Sequence, residues 1–156
     1  MREQRWFSAA ALAVGLFAIN AVTRLAIRLW FSDSDAAQTR ATIAMFAAIG
    51  LVLAVWTFRA AQNRRPSEWL LPDLAFGAVG GMLLTVLVGP FISSGQPFAD
   101  GAGAFFSQVW LYLGFAIVGT LLGYWVAVVL GRDYRSRSLT AFAKVRETRP
   151  RRVVRR

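Results

Sequence analysis

The chain has 156 residues, of which 56% are apolar, 13% aromatic and 17% charged, with 18 Lys and Arg against 8 Asp and Glu. Soluble domains carry about a quarter charged residues, so the deficit points to a bilayer. With no Cys and no His, disulfides, thiolate nucleophiles, iron–sulfur and Cys-based zinc sites, haem ligation and His-based catalysis or proton relay are excluded.

The apolar residues stand in four uncharged blocks, 6–23, 41–58, 74–99 and 101–131. Long blocks without apolar/polar alternation exclude an outer-membrane barrel. Each block can supply the roughly 20 residues that cross a hydrocarbon core about 30 Å thick. The expected fold is an all-α integral membrane protein, a four-transmembrane-helix bundle over 1–131, with spans at 6–30, 39–58, 69–89 and 104–130. A basic tail, 132–156, follows it. Arg2 and Arg5 before the first block give it the outline of a secretory signal. The apolar run is too long for such a signal and lacks a small-x-small exit, so it reads as a span.

Basic residues set the expected direction. Arg2, Arg5, Arg59, Arg64, Arg65 and ten Lys or Arg from Arg132 onward would share one side, leaving Arg24, Arg28 and Arg40 around the other. This asymmetry predicts both termini in the cytoplasm. Trp6 and Trp30, 24 residues apart, would sit about 36 Å apart on a helix, one at each interface. Trp56, Trp69, Tyr124 and Trp125 fall near the inner ends of the other spans. All basic residues but Lys144 are Arg, in a chain rich in Ala, Gly and Val. These residues have GC-rich codons, so the expected setting is the inner membrane of a high-GC bacterium.

Within the first span, Asn20, Arg24 and Arg28 recur every four residues and make one polar stripe towards the outer end. Arg binds phosphate and carboxylate bidentately, so the stripe is a candidate site for an anion, either a lipid phosphate or a small acidic solute. The plainer reading has the arginines snorkelling or pairing with Asp33, Asp35 or Asp100. Arg24 and Arg28 are the only ionisable residues expected inside a span, and no carboxylate is expected deep in one. That removes the coupling group a proton-driven exporter of this size would need. No paired-carboxylate, Ser–Lys or metal-ligand cluster stands in the chain, and no cofactor or enzymatic activity is expected. Asp35 or Thr39 is the expected cap of the second span.

Gly77-x-x-x-Gly81 in the third span and Gly119-x-x-x-Gly123 in the fourth are small-residue motifs that let helices approach closely in lipid. Their depths match, which predicts Gly77 facing Gly123 and Gly81 facing Gly119 across the third connection. In that connection Pro90 is expected to end or kink the third span, with Phe91 and Phe98 dipping into headgroups. A re-entrant segment is the less common alternative. Residues 138–146 read as a short helix suited to the membrane surface, with Leu139 and Phe142 on its apolar side. Beyond it, Arg149, Arg151, Arg152, Arg155 and Arg156 form a polybasic end suited to anionic lipid or an acidic partner. Nucleic acid is an unlikely partner, because interleaved stacking aromatics are missing. The leading functional expectation is a non-catalytic accessory, assembly or structural subunit of a larger membrane complex, or else a homo-oligomer. The alternative is a small transporter, flippase component or channel using the stripe as its anion site.

Overall fold

The computed structural model describes residues 2–30, 34–62, 67–92, 95–96, 98, 101–132 and 134–148. Among these residues all regular structure is helical: α1 (Arg2–Trp30), α2 (Asp35–Gln62), α3 (Ser67–Leu83), a π-helical turn (Leu84–Val88), α4 (Gly89–Ile92), α5 (Gly101–Val129) and α6 (Tyr134–Thr148). Four stretches are long and apolar enough to cross a membrane: Trp6–Trp30, Ala36–Gln62, Leu71–Ile92 and Gly101–Val129.

The helices run past several of the expected bounds. Alanines and Gln extend α2 at both ends, as strong helix formers do. Its cap is Ser34 rather than Asp35 or Thr39, with the Ala37 N–H donating to Ser34 Oγ at 3.4 Å, the usual reach from a cap to the third helical residue. Pro90 does not end the third span, which continues to Ile92. The chain widens just before the proline, where the Gly89 N–H donates five residues back to Leu84 O. A π turn there gives the pyrrolidine ring room and tolerates its missing donor. Phe91 and Phe98 are both exposed, and Phe98 stacks on Phe105 at 4.6 Å between ring centroids.

The helices pair in an interleaved way. α1 packs chiefly on α3, and α2 on α5, while α3 and α5 touch little despite being joined by one connection. The expected Gly77–Gly123 and Gly81–Gly119 contacts are therefore absent. A Cβ built on Gly77 would meet Leu12, and one on Gly81 would meet Leu16 and the Tyr112 hydroxyl. Gly119 instead lies against the backbone carbonyl of Gly50, and Gly123 against that of Ala54. Partners advance together by four residues in each pair, so α1 runs parallel to α3 and α2 parallel to α5. Tyr112 of α5 is fully buried and reaches towards α3. Its hydroxyl fills the space left by the missing Cβ of Gly81.

Between the two pairs lies one core of Leu12, Leu16, Met45, Phe46, Ile49, Leu53, Leu74, Tyr112 and Ala116. Phe46 and Phe115 stack within it at 6.2 Å. Arg24 and Arg28 are not the only ionisable residues inside a span, because Asp73 stands near the start of the third. It is buried, at 8% exposure.

At the end that carries the termini, Gly131 adopts φ +62°. Its N–H donates to Val128 O, and that of Arg132 to Ala127 O, both at 2.9 Å. This pair of bonds closes a helix with a left-handed glycine and turns the chain into α6. Arg137 then donates to Gln62 O at 2.9 Å, tying the start of α6 to the end of α2. α6 is longer than the expected 138–146, and Leu139 and Phe142 project from it at 66% and 78% exposure. Arg149, Arg151, Arg152, Arg155 and Arg156 lie outside the described residues.

Two substitutions test this packing against thermal melts in detergent. Gly119→Ala sets a Cβ against the Gly50 backbone, which cannot yield as a side chain would, and should cost about 3 kcal/mol or more. Gly114→Ala meets open space and should be neutral or stabilising by up to about 1 kcal/mol. Thr57 is fully buried and its hydroxyl has no hydrogen-bond partner. Thr57→Val should therefore raise stability, by about 1 kcal/mol.

Candidate functional site: a polar cavity at the distal end

At the end of the bundle opposite the termini, all four spans contribute walls to one cavity of about 200 Å³. Its polar side is built from α1 outward. Asn20 is fully buried. Its Nδ2 donates to Met45 Sδ at 3.2 Å, and its Oδ1 accepts from Arg24 Nε at 3.1 Å. The four-residue spacing that put these two side chains on one face thus makes them direct partners. From there Arg24 reaches across the bundle, donating from its terminal nitrogen to Gln108 Oε1 at 3.5 Å, the outer limit of such a bond. Thr42 and Gln38, one turn apart near the start of α2, line the same space, and Thr42 Oγ1 donates to the Gln38 carbonyl at 2.9 Å.

The π turn supplies the remaining polar wall through Thr85. Thr85 is 1% exposed, and its hydroxyl has no hydrogen-bond partner. A buried hydroxyl without a partner carries a free-energy cost of about 1–3 kcal/mol. Ile27, Met45 and Phe46 line the cavity with apolar surface.

Gly89 holds the arrangement tight. A Cβ there would come 2.7 Å from Asn20 Oδ1 and 3.0 Å from Arg24 Nε, so only glycine lets the Asn20–Arg24 pair lie flat against the end of the third span. The expected polar stripe divides at this point. Arg24 turns into the cavity, whereas Arg28 is exposed and donates to the Ile92 carbonyl at 3.3 Å. A cation on the last carbonyls of a helix is favourably placed against the helix dipole. Asp33 and Asp100 lie outside the described residues, as does the side chain of Asp35.

Thr85, Gln108, Thr42, Gln38 and Gly89 were not among the residues expected at the site. A signal for them exists in the sequence. Each is a polar residue or glycine within a turn or two of the distal end of its span. A search for polar residues at equal depth on all four spans would have gathered them. Among the described residues the lining brings together the Arg24 guanidinium, the amides of Asn20, Gln38 and Gln108 and the Thr42 hydroxyl. Family models, curated proteins and solved structures contain no match to this chain.

Gly89→Ala should push the Asn20–Arg24 pair out of register and lower thermal stability by about 1–3 kcal/mol. Gly103→Ala, with nothing near it, is the matched control and should melt close to the parent.

Proposed function

We propose that this is a non-catalytic multi-pass protein of the bacterial cytoplasmic membrane that holds an anionic group in its distal cavity, as a small transporter or flippase component does. The observation that carries this reading is the placement of Arg24, drawn between four spans into a space that Asn20, Gln38, Thr42 and Gln108 also line. Arginine within a span is costly and marks function by default. The surrounding amides and hydroxyls are the chemistry that recognises phosphate and carboxylate oxygens. In this reading both termini lie in the cytoplasm and the cavity faces outward, in keeping with the distribution of Lys and Arg.

Two measurements test it. Reporter fusions at either terminus should read cytoplasmic and one inserted at Gly95 external; an external C-terminus removes the outward-facing site. Purified protein should gain thermal stability with anions and not with matched cations, and Arg24→Gln should abolish that gain. Equal response of the parent and Arg24→Gln removes anion binding as the function.

A second reading, an accessory or assembly subunit of a larger complex, is favoured by α6. Its Leu139 and Phe142 are exposed, and Arg135, Arg137 and Lys144 make it basic. Mild-detergent purification should then bring down a partner in fixed stoichiometry. Leu139→Asp with Phe142→Asp should release that partner without altering the melt of the bundle.

A further inference from the structure

Charge is divided unequally between the two ends of the chain's helices. Residues 24–40 and 89–101, which lead to the distal end, hold three Arg and three Asp. Residues 1–5, 59–73 and 132–156, which lead to the end with the termini, hold fifteen Lys or Arg against five Asp or Glu. The whole formal charge of +10 therefore falls at that end. The tail 132–156 alone has ten bases and two acids, so pairing each acid with a base leaves most of the surplus intact.

The fold fixes where that surplus begins. Tyr124 and Trp125 near the end of α5 are exposed, as is Trp6 near the start of α1, and such side chains mark the headgroup level of a bilayer. Gly131, at φ +62°, stands six residues past Trp125, about 9 Å along a helix. α6 begins three residues later. The Arg137 guanidinium then brings it back to the Gln62 carbonyl at the end of α2, at 2.9 Å. Two stretches long and apolar enough to cross a membrane thus hold the first turn of α6 at the level where they leave the hydrocarbon. Within α6, Arg137 and Ala141 are four apart and share the face turned to α2. Leu139, Phe142 and Ala143 share the opposite face, where the first two are exposed. An apolar pair beside cations, held at the headgroup layer, is the pattern of a helix that lies in the interface.

We infer that α6 docks on the anionic headgroups of the leaflet at this end of the bundle. Leu139 and Phe142 enter the acyl boundary, the basic surplus of the tail meets lipid phosphate, and Arg137 stays on Gln62 as the fixed point. A lipid surface fits better than a soluble polyanion, because the helix already starts at the bilayer and because a polyanion offers nothing to the apolar pair. The inference is independent of what the distal cavity holds. It assigns to lipid the face of α6 that a partner subunit would otherwise take, so the two occupants are alternatives.

The chain has no Cys, so one introduced cysteine carries one fluorophore. The full-length protein is placed in nanodiscs of phosphatidylcholine, with or without phosphatidylglycerol, and quenching is read from a doxyl lipid and from acrylamide in the water. Ala143→Cys reports the apolar face of α6, Ala141→Cys the opposite face, and Gly114→Cys, exposed on α5, the lipid around the bundle. With phosphatidylglycerol the label at 143 should be quenched by lipid and shielded from acrylamide, and the label at 141 the reverse. Leaving out phosphatidylglycerol should lower the docking equilibrium about fivefold or more, since one basic residue at an anionic surface contributes about that factor. Leu139→Asp with Phe142→Asp should return the label at 143 to acrylamide while the melt of the bundle stays unchanged. Equal lipid quenching at 143 and 141 overturns the inference, as does docking of the same strength without phosphatidylglycerol. A label at 143 shielded from both quenchers marks a protein partner or a second copy on this face, and overturns it too. A label at 114 that lipid does not quench removes the membrane bundle itself, whatever α6 does.

Discussion

Where α2 meets α5, backbone meets backbone. Gly119 and Gly123 press on the carbonyls of Gly50 and Ala54 with no side chain between them, and this near-contact of two parallel helices sets the positions of everything else. In lipid, tails solvate apolar side chains as well as a protein core does, so close van der Waals approach takes over the part that hydrophobic burial plays in water. The α1–α3 pair follows the same principle in a softer form. Gly77 and Gly81 receive the flexible side chains of Leu12 and Leu16, not backbone atoms. Two tight parallel pairs then meet across a core of Leu, Ile, Phe and Tyr112. The side chains there are large, so the pairs stand further apart than the helices within each pair.

That spacing explains the cavity. Towards the distal end, the large apolar residues of the core give way to Asn20, Thr42, Thr85 and Gln108, which are shorter or polar and leave volume unfilled. The π turn falls in this layer, before Pro90. It brings Thr85 and Gly89 onto the same side as Arg24, where one supplies a hydroxyl and the other supplies room. Backbone irregularity, a charged side chain and an orphaned polar atom thus coincide at one level of the bundle. Elsewhere the described spans are regular α-helix.

Four spans are legible in the sequence because length and lack of charge are properties of each segment by itself. Partner choice is not such a property. Matching depths of the Gly77/Gly81 and Gly119/Gly123 motifs suggested that they face each other, but every span passes through every depth, so equal depth cannot choose among three possible neighbours. The partner of Gly119 turned out to be Gly50. Its companion Ala54 stands among Ala47, Ala48, Ala60 and Ala61, where one more small residue carries little signal. Asn20 and Arg24 were readable as a pair from their spacing, since a helix fixes which residues share a face. Their divergence from Arg28 was not, because it depends on the carbonyl of Ile92 and on the space above Gly89, both contributed by a segment more than 60 residues away. The burial of Asp73 was not legible either, since a single carboxylate near the end of an apolar block gives no sign of what packs over it.

The interleaved pairing also bears on the order in which the protein is assembled. A ribosome delivers residues at about 5–20 per second, so the 67 residues between the end of α2 and the end of α5 take about 3–13 s to appear. Through that interval α2 is complete while the groove at Gly50 and Ala54 waits for α5. The first two helices thus meet over the smaller area, and the most extensive helix–helix contact among the described residues forms last, when α5 comes alongside α2. Insertion of that final helix is the step that locks the bundle. Until it happens, the small-residue groove at Gly50 and Ala54 has nothing of its own chain to receive.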